Sequence, residues 1–135
     1  SRGRLDFERR MSKHETPMLL EYWKQTGGIL IEEFLAVKKT STNSQRLIDG
    51  IIIPGEETRM GNRDDQELIN GREIIVVQVK ASRLGMYLMG QTLFSMCLME
   101  KFNPSKITSV ALCRYDDSIM RPLLEKHEGC KVVII

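Results

Sequence analysis

Glu73-Ile74-Ile75-Val76-Val77-Gln78-Val79-Lys80-Ala81 is the stretch whose reading decides the fold of this chain. It is dominated by β-branched residues and holds neither glycine nor proline, which predicts a strand. Its apolar run is nearly continuous, so both faces must be covered, as in the middle of an α/β sheet. Side chains at i and i+2 share a face of a strand. Gln78 and Lys80 therefore project to one side, and Val77, Val79 and Ala81 to the other. An unpaired buried amide costs on the order of 1–3 kcal/mol and an unpaired ammonium much more, so these two side chains need partners.

Upstream, Leu47-Ile48-Asp49-Gly50-Ile51-Ile52-Ile53 reads as a second strand closed by Pro54-Gly55, with an aspartate inside an otherwise apolar run. Before it, Ile29 to Val37 predicts another strand, and the polar stretch Lys38 to Arg46 turns the chain. Thr16-Pro17, a cap residue followed by proline at the first helical position, opens a helix that ends at Gly27-Gly28. The polar segment 56–72 is too long for a hairpin loop and is expected to form a flap beside the site. Within it, Asn70-Gly71 marks a tight turn and Glu67-Leu68-Ile69 a short returning strand.

Downstream, Leu84 to Phe102 becomes helical, with Met86, Met89, Leu93, Met96, Cys97 and Glu100 at intervals of three and four. Its methionines are expected to fill the core. Ile107 to Cys113 follows as a strand, Ser118 to His127 as a helix stopped by Gly129, and Cys130 to Ile135 as a last strand. The expectation is an α/β domain spanning 1–135, with a mixed central sheet of about five strands flanked by helices, in the order α-β-β-β-α-β-α-β.

A chain of 135 residues with 41% hydrophobic and 28% charged residues has a globular composition and needs no staples to fold. Its three cysteines, Cys97, Cys113 and Cys130, lie far apart among apolar neighbours, so they predict buried thiols rather than a disulfide framework or a zinc site. No apolar run approaches the roughly 18 residues of a membrane span and no signal peptide is evident, which points to a cytoplasmic protein. The chain begins at Ser1-Arg2-Gly3 without methionine, as a piece cut from a longer protein would. Net charge is +2, with +3 on residues 1–14 and −1 on the remainder. A flexible basic arm over 1–14 could touch phosphates, but the overall balance alone does not announce a nucleic-acid binder.

Two readings of the polar groups on the central strands stand side by side. Asp49 and Lys80 could form a buried ion pair bridged by Gln78 that only specifies packing. Alternatively, an aspartate on one strand, a polar-X-Lys on the next and a long helix after it is the arrangement of a hydrolytic metal site. His14 and His127 are lone and have no metal partner at useful spacing.

On these residues the chain resembles the PD-(D/E)XK nuclease superfamily, whose core is described as an α-β-β-β-α-β unit. The resemblance covers roughly Thr16 to Cys113. Ile48-Asp49-Gly50 stands for the aspartate motif and Gln78-Val79-Lys80 for the (D/E)-X-K motif, in the Q-X-K form found in some restriction-type branches. What it implies is a restriction-endonuclease-like fold and a Mg²⁺-dependent endonuclease, with Mn²⁺ as substitute, that hydrolyses phosphodiester bonds in DNA, with a homodimer to cut two strands. Asp49 and Gln78 would be metal ligands, and Lys80 would orient water and offset phosphate charge.

Because a neutral glutamine binds a cation less well than a carboxylate, a second acid is expected. In the superfamily a glutamate on the first helix often completes the site. That favours Glu21 as a catalytic and metal-binding residue, then Glu15, with Glu32 and Glu33 of the first strand as alternatives. Glu73, five positions before Gln78, falls on the opposite face. Gln91 and Arg83 are the expected nucleic-acid contacts; the tyrosine that follows such a glutamine by four residues in one branch is replaced here by Ser95. A catalytically silent member of the same fold that binds nucleic acid or a protein partner is the alternative function.

Overall fold

In the computed structural model, which describes residues 11–135, the chain runs α1 (Thr16–Thr26), β1 (Ile29–Val37), β2 (Arg46–Ile53), β3 (Arg59–Met60), β4 (Glu73–Arg83), α2 (Met86–Met99), β5 (Lys106–Tyr115), α3 (Met120–Glu125) and β6 (Cys130–Ile134). Short 3₁₀ turns occupy Gln66–Leu68 and Glu100–Phe102. The fold is α/β: the described strands form one six-stranded mixed sheet in the order β3-β1-β2-β4-β5-β6. β2 runs antiparallel to both its neighbours, β1 and β4, whereas β4, β5 and β6 run parallel, as strands joined by crossover helices do. The basic arm expected over 1–14 lies mostly outside the described residues.

The continuous apolar run of β4 is explained by its place between β2 and β5 with a packed layer on each face. On one face Met18, Leu19 and Tyr22 of α1 cover Leu30, Ile52, Val77, Val79, Val110 and Leu112. On the other, Ile29, Ile31, Phe34, Ile51, Ile53, Ile74 and Val76 pack with Ile69 and with Met99 of α2. A third cluster joins Leu84 and Leu88 to Ala111, Cys113, Leu124 and Val132 beneath α3. Among the described residues no helix is long and apolar enough to cross a membrane.

Four local expectations are corrected. Thr16 is not the cap of α1: Glu15 is, and its carboxylate reaches back to accept from the Ser12 amide at 2.9 Å. The segment 56–72 is not a flap beside the site but a fixed edge. β3 pairs parallel with β1, the Gly61 amide donates to the Leu30 carbonyl and the Leu35 amide to the Arg63 carbonyl, because β1 would otherwise expose an unpaired edge. Glu67-Leu68-Ile69 is no strand; the 3₁₀ turn there buries Ile69 and packs Leu68 against the core. Finally, Cys113 and Cys130 are buried thiols as expected, whereas Cys97 is exposed.

The sequence periodicity finds part of the inner face of α2, where Met89, Leu93 and Met96 pack against the core, but not all of it. Its buried residues are Leu88, Thr92, Ser95 and Met99, while Met86 is 77% exposed. The cause lies on the sheet beneath, which presents the buried polar residues Gln78 and Ser109 to this helix. Ser95 accepts from Gln78, the Ser109 hydroxyl donates to the Thr92 carbonyl at 2.7 Å and the Thr92 hydroxyl donates to the Leu88 carbonyl of its own helix, so each of these buried polar groups has a partner.

The junction between α1 and β1 depends on close backbone approach. Gly28 sits at φ +86, and a Cβ there would lie 2.2 Å from the Ile53 carbonyl oxygen, whereas Gly55, at φ +82, has open space. Gly28→Ala should therefore cost about 2–5 kcal/mol, combining left-handed strain with overpacking, against about 1–2 kcal/mol for Gly55→Ala. Urea denaturation of the two variants measures this, and equal costs would contradict the close-approach argument.

Candidate functional site

The ladder between β2 and β4 pairs Ile52 with Ile75, Ile51 with Val76 and Gly50 with Val77, and goes no further. Beyond it the next groups in line would be left without partners. Asp49 fills the gap: its Oδ2 accepts from the Val79 amide at 2.8 Å, so a side chain takes over where the backbone ladder ends. This holds the carboxylate against β4, beside Gln78 and Lys80.

Alternation breaks at the same level in two strands. In β1, Ile29 and Ile31 face α2, yet so do Phe34 and Ala36; in β2, Ile51 and Ile53 face it, and so does Ile48. Each strand inverts once, in β1 between Ile31 and Phe34 and in β2 between Ile48 and Gly50, whose missing Cβ faces Leu19 of α1. Glu33 lies at the β1 inversion with φ +50, the left-handed conformation that a side chain adopts at a cost of about 1–3 kcal/mol. Register places Glu33 opposite Asp49, between the pairs Glu32↔Gly50 and Phe34↔Ile48. Strain of this kind concentrates where geometry serves something other than stability.

The electrostatics follow from that placement. Burial pushes the Asp49 carboxyl up to about 7, and the like charges of Glu15 and Glu33 add to the rise; the Val79 hydrogen bond and the charge of Lys80 pull the other way. Burial likewise raises Glu32, with Glu33 adding to it. An acidic group that titrates near neutrality in a recess is a mark of functional sites.

Gln78 is 4% exposed, and its Nε2 donates to Ser95 Oγ at 2.7 Å. That bond fixes the amide plane and leaves the carbonyl oxygen on the side away from Ser95. Lys80, one alternation further along β4, is exposed, with its Nζ 5.9 Å from the centre of the Tyr87 ring. The buried Asp49–Lys80 ion pair does not form: Asp49 bonds the Val79 amide, and Lys80 pairs with no carboxylate among the described residues.

Asp49, Gln78, Lys80 and Gln91 all line one cleft of about 1100 Å³. So does Glu15, at the mouth of α1. Glu21 is exposed on α1 and does not line it, because α1 turns Met18, Leu19 and Tyr22 to the sheet. Arg83 also lies elsewhere, its ring contact being with Tyr115 and its guanidinium donating to the Asp116 carbonyl. The sequence reading missed Ser95 as the partner of Gln78 and Phe94 and Arg46 as lining residues. Phe94 was within reach of periodicity, since it falls two turns after Tyr87 on the same helix face.

The donors at the floor of the cleft are oxygens: the Asp49 carboxylate, the Gln78 amide and, nearby, the Glu15 carboxylate. Among the described residues no group of three or more His, Cys, Asp or Glu side chains is placed to hold a metal ion. Such a sparse oxygen set fits Mg²⁺, which keeps several waters and takes one or two carboxylates with substrate phosphate. No protein-family model, curated protein or solved structure matches the chain.

A carboxyl whose value rises from 3.8 unfolded to about 7 folded makes the folded state the better proton binder between those limits. Its stabilising contribution is complete below the unfolded value and is lost as pH climbs through the folded one, on the order of 4 kcal/mol at most. Asp49→Asn, which cannot ionise, should therefore gain in Tm relative to the wild type, in EDTA, as pH is raised from about 5 to about 8. A variant destabilised equally at both pH values would contradict the burial of this group.

Proposed function

We propose that this chain is a metal-dependent nuclease of the PD-(D/E)XK type that hydrolyses phosphodiester bonds in DNA. The observation that carries the reading is convergence: Asp49 from β2 and Gln78 and Lys80 from β4 meet in one cleft, with a carboxyl held near neutrality by burial and acidic neighbours. The element order supports a restriction-endonuclease-like core, since α1, β1, β2, β4, α2 and β5 reproduce the α-β-β-β-α-β unit with only the two-residue β3 inserted.

In this reading Asp49 and the Gln78 carbonyl oxygen hold Mg²⁺, and Glu15 takes the place of the second acid. The bound ion supplies a lowered water pKa and a polarised phosphoryl oxygen. Ser95 engages the Gln78 amide nitrogen, which would leave the oxygen as the atom able to hold the cation. The Val79 amide fixes the Asp49 carboxylate in the same way. Lys80, exposed at the cleft wall, sets its ammonium where negative charge builds on the scissile phosphate and hydrogen-bonds a non-bridging oxygen. Asp49 must be ionised to hold the cation, so activity rises with pH through about 7.

Incubation of the protein with supercoiled and linear DNA and Mg²⁺ or Mn²⁺ tests this. Wild type should cut; Asp49→Asn and Lys80→Ala, shown folded by circular dichroism, should lose activity by about 100-fold or more. Glu15→Gln should lose more than Glu21→Gln. Salt-sensitive DNA binding without cleavage would instead identify the silent binding module, to which the neutral Gln78 in place of an acid lends some support.

A further inference from the structure

α2 packs an apolar side on the core yet also leaves large aromatic residues in water. Thr92 and Ser95 are buried against the sheet, while Tyr87 is 72% and Phe94 67% exposed. Apolar area left in water costs about 25 cal/mol per Å², and two aromatic rings are a large amount to leave uncovered on one helix face. Tyr87 and Phe94 are seven residues apart, so they lie on one side of the helix about 10 Å apart along its axis. Gln91 stands between them, and all three line the cleft that holds Asp49 and Gln78.

Charge identifies what covers them. Lys80 lies 5.9 Å from the Tyr87 ring centre, and Arg46 lines the same cleft, so cations flank the aromatic wall. A flat π face beside a cation is what a nucleotide uses, its base stacking on the ring and its phosphate meeting the charge. A peptide or a second copy of this chain would gain from the rings but has no comparable use for Lys80. The concavity is close in size to small-ligand sites. An intact duplex keeps its base faces stacked and offers the rings none.

We infer that the α2 wall is a base-stacking platform on which Tyr87 and Phe94 bind unpaired nucleotides, so that the strand presented to Asp49, Gln78 and Lys80 is single or locally melted. Gln91, with both an amide donor and an acceptor, is placed to bond the edge of a base held between the two rings. The inference rests on the nuclease reading for the sense of the cleft, yet it concerns binding alone and has its own test.

Fluorescence anisotropy of a labelled oligothymidylate, with Ca²⁺ and again with EDTA, compares wild type with Tyr87→Leu and Phe94→Leu. Leucine keeps the apolar bulk and removes the π face. Each substitution should weaken binding about tenfold or more, Tyr87→Phe should bind as wild type, and a duplex of the same length should bind less tightly than the single strand. Leucine variants that bind as wild type, a duplex bound as tightly, or no binding of the single strand overturns the inference. So does a wild-type dimer, seen by sedimentation, that the leucine substitutions turn into monomer, since the rings would then cover a second copy. The two readings fail separately: binding that needs the rings without any DNA cleavage sinks the nuclease alone, and cleavage with ring-independent binding sinks the platform alone.

Discussion

The hydrogen bond from the Val79 amide to the Asp49 carboxylate is the contact around which the rest of the site is arranged. It exists because β2 and β4 stop pairing at Gly50 and Val77, leaving an amide that a buried strand must satisfy. Filling that place with an acid rather than with another ladder bond stabilises the backbone but confines a carboxyl in an acid-rich recess, where burial raises it to about 7. One contact thus both closes the sheet and creates a group eager for a proton or a cation.

The neighbouring strain follows from the same constraint. If β1 and β2 had kept strict alternation, Phe34, Ala36 and Ile48 would have left the α2 side of the core, where they are now wholly or almost wholly buried. A single left-handed residue, Glu33, restores the facing of Phe34 and Ala36 and at the same level sets an acid whose charge bears on Asp49. Part of the stability of the sheet is traded for the concentration of negative charge at its edge. Such a trade is typical of sites rather than of scaffolds.

α2 makes the complementary adjustment. Ser95 faces inward to take the buried Gln78 amide, and the Ser109 hydroxyl of the sheet donates to the Thr92 carbonyl of the helix, while Tyr87 and Phe94 stay on the wall of the cleft. One helix thus both positions the amide on β4 and lines the cleft wall. The helix is held by Leu88 and Met99 at its ends, where the sheet beneath is apolar.

The main elements were legible in the sequence. β-branched runs at 29–37 and 73–81, glycine and proline punctuation, and strand parity were enough to place α1, β1, β2, β4 and β5 and to put Gln78 and Lys80 together, because these depend on local propensity and a period of two. What periodicity could not supply was anything that one element imposes on another. The edge role of 56–72, the inward turn of Thr92 and Ser95, the exposure of Tyr87 and Phe94, and the exclusion of Glu21 in favour of Glu15 all arise from contacts between segments distant in the chain. Nor could it foresee the inversion at Glu33, since a left-handed glutamate leaves no trace in composition. The chain alone determined which groups are candidates for chemistry; the folded sheet decided which of them share a cleft, since proximity across strands is set by register and packing and not by spacing along the chain.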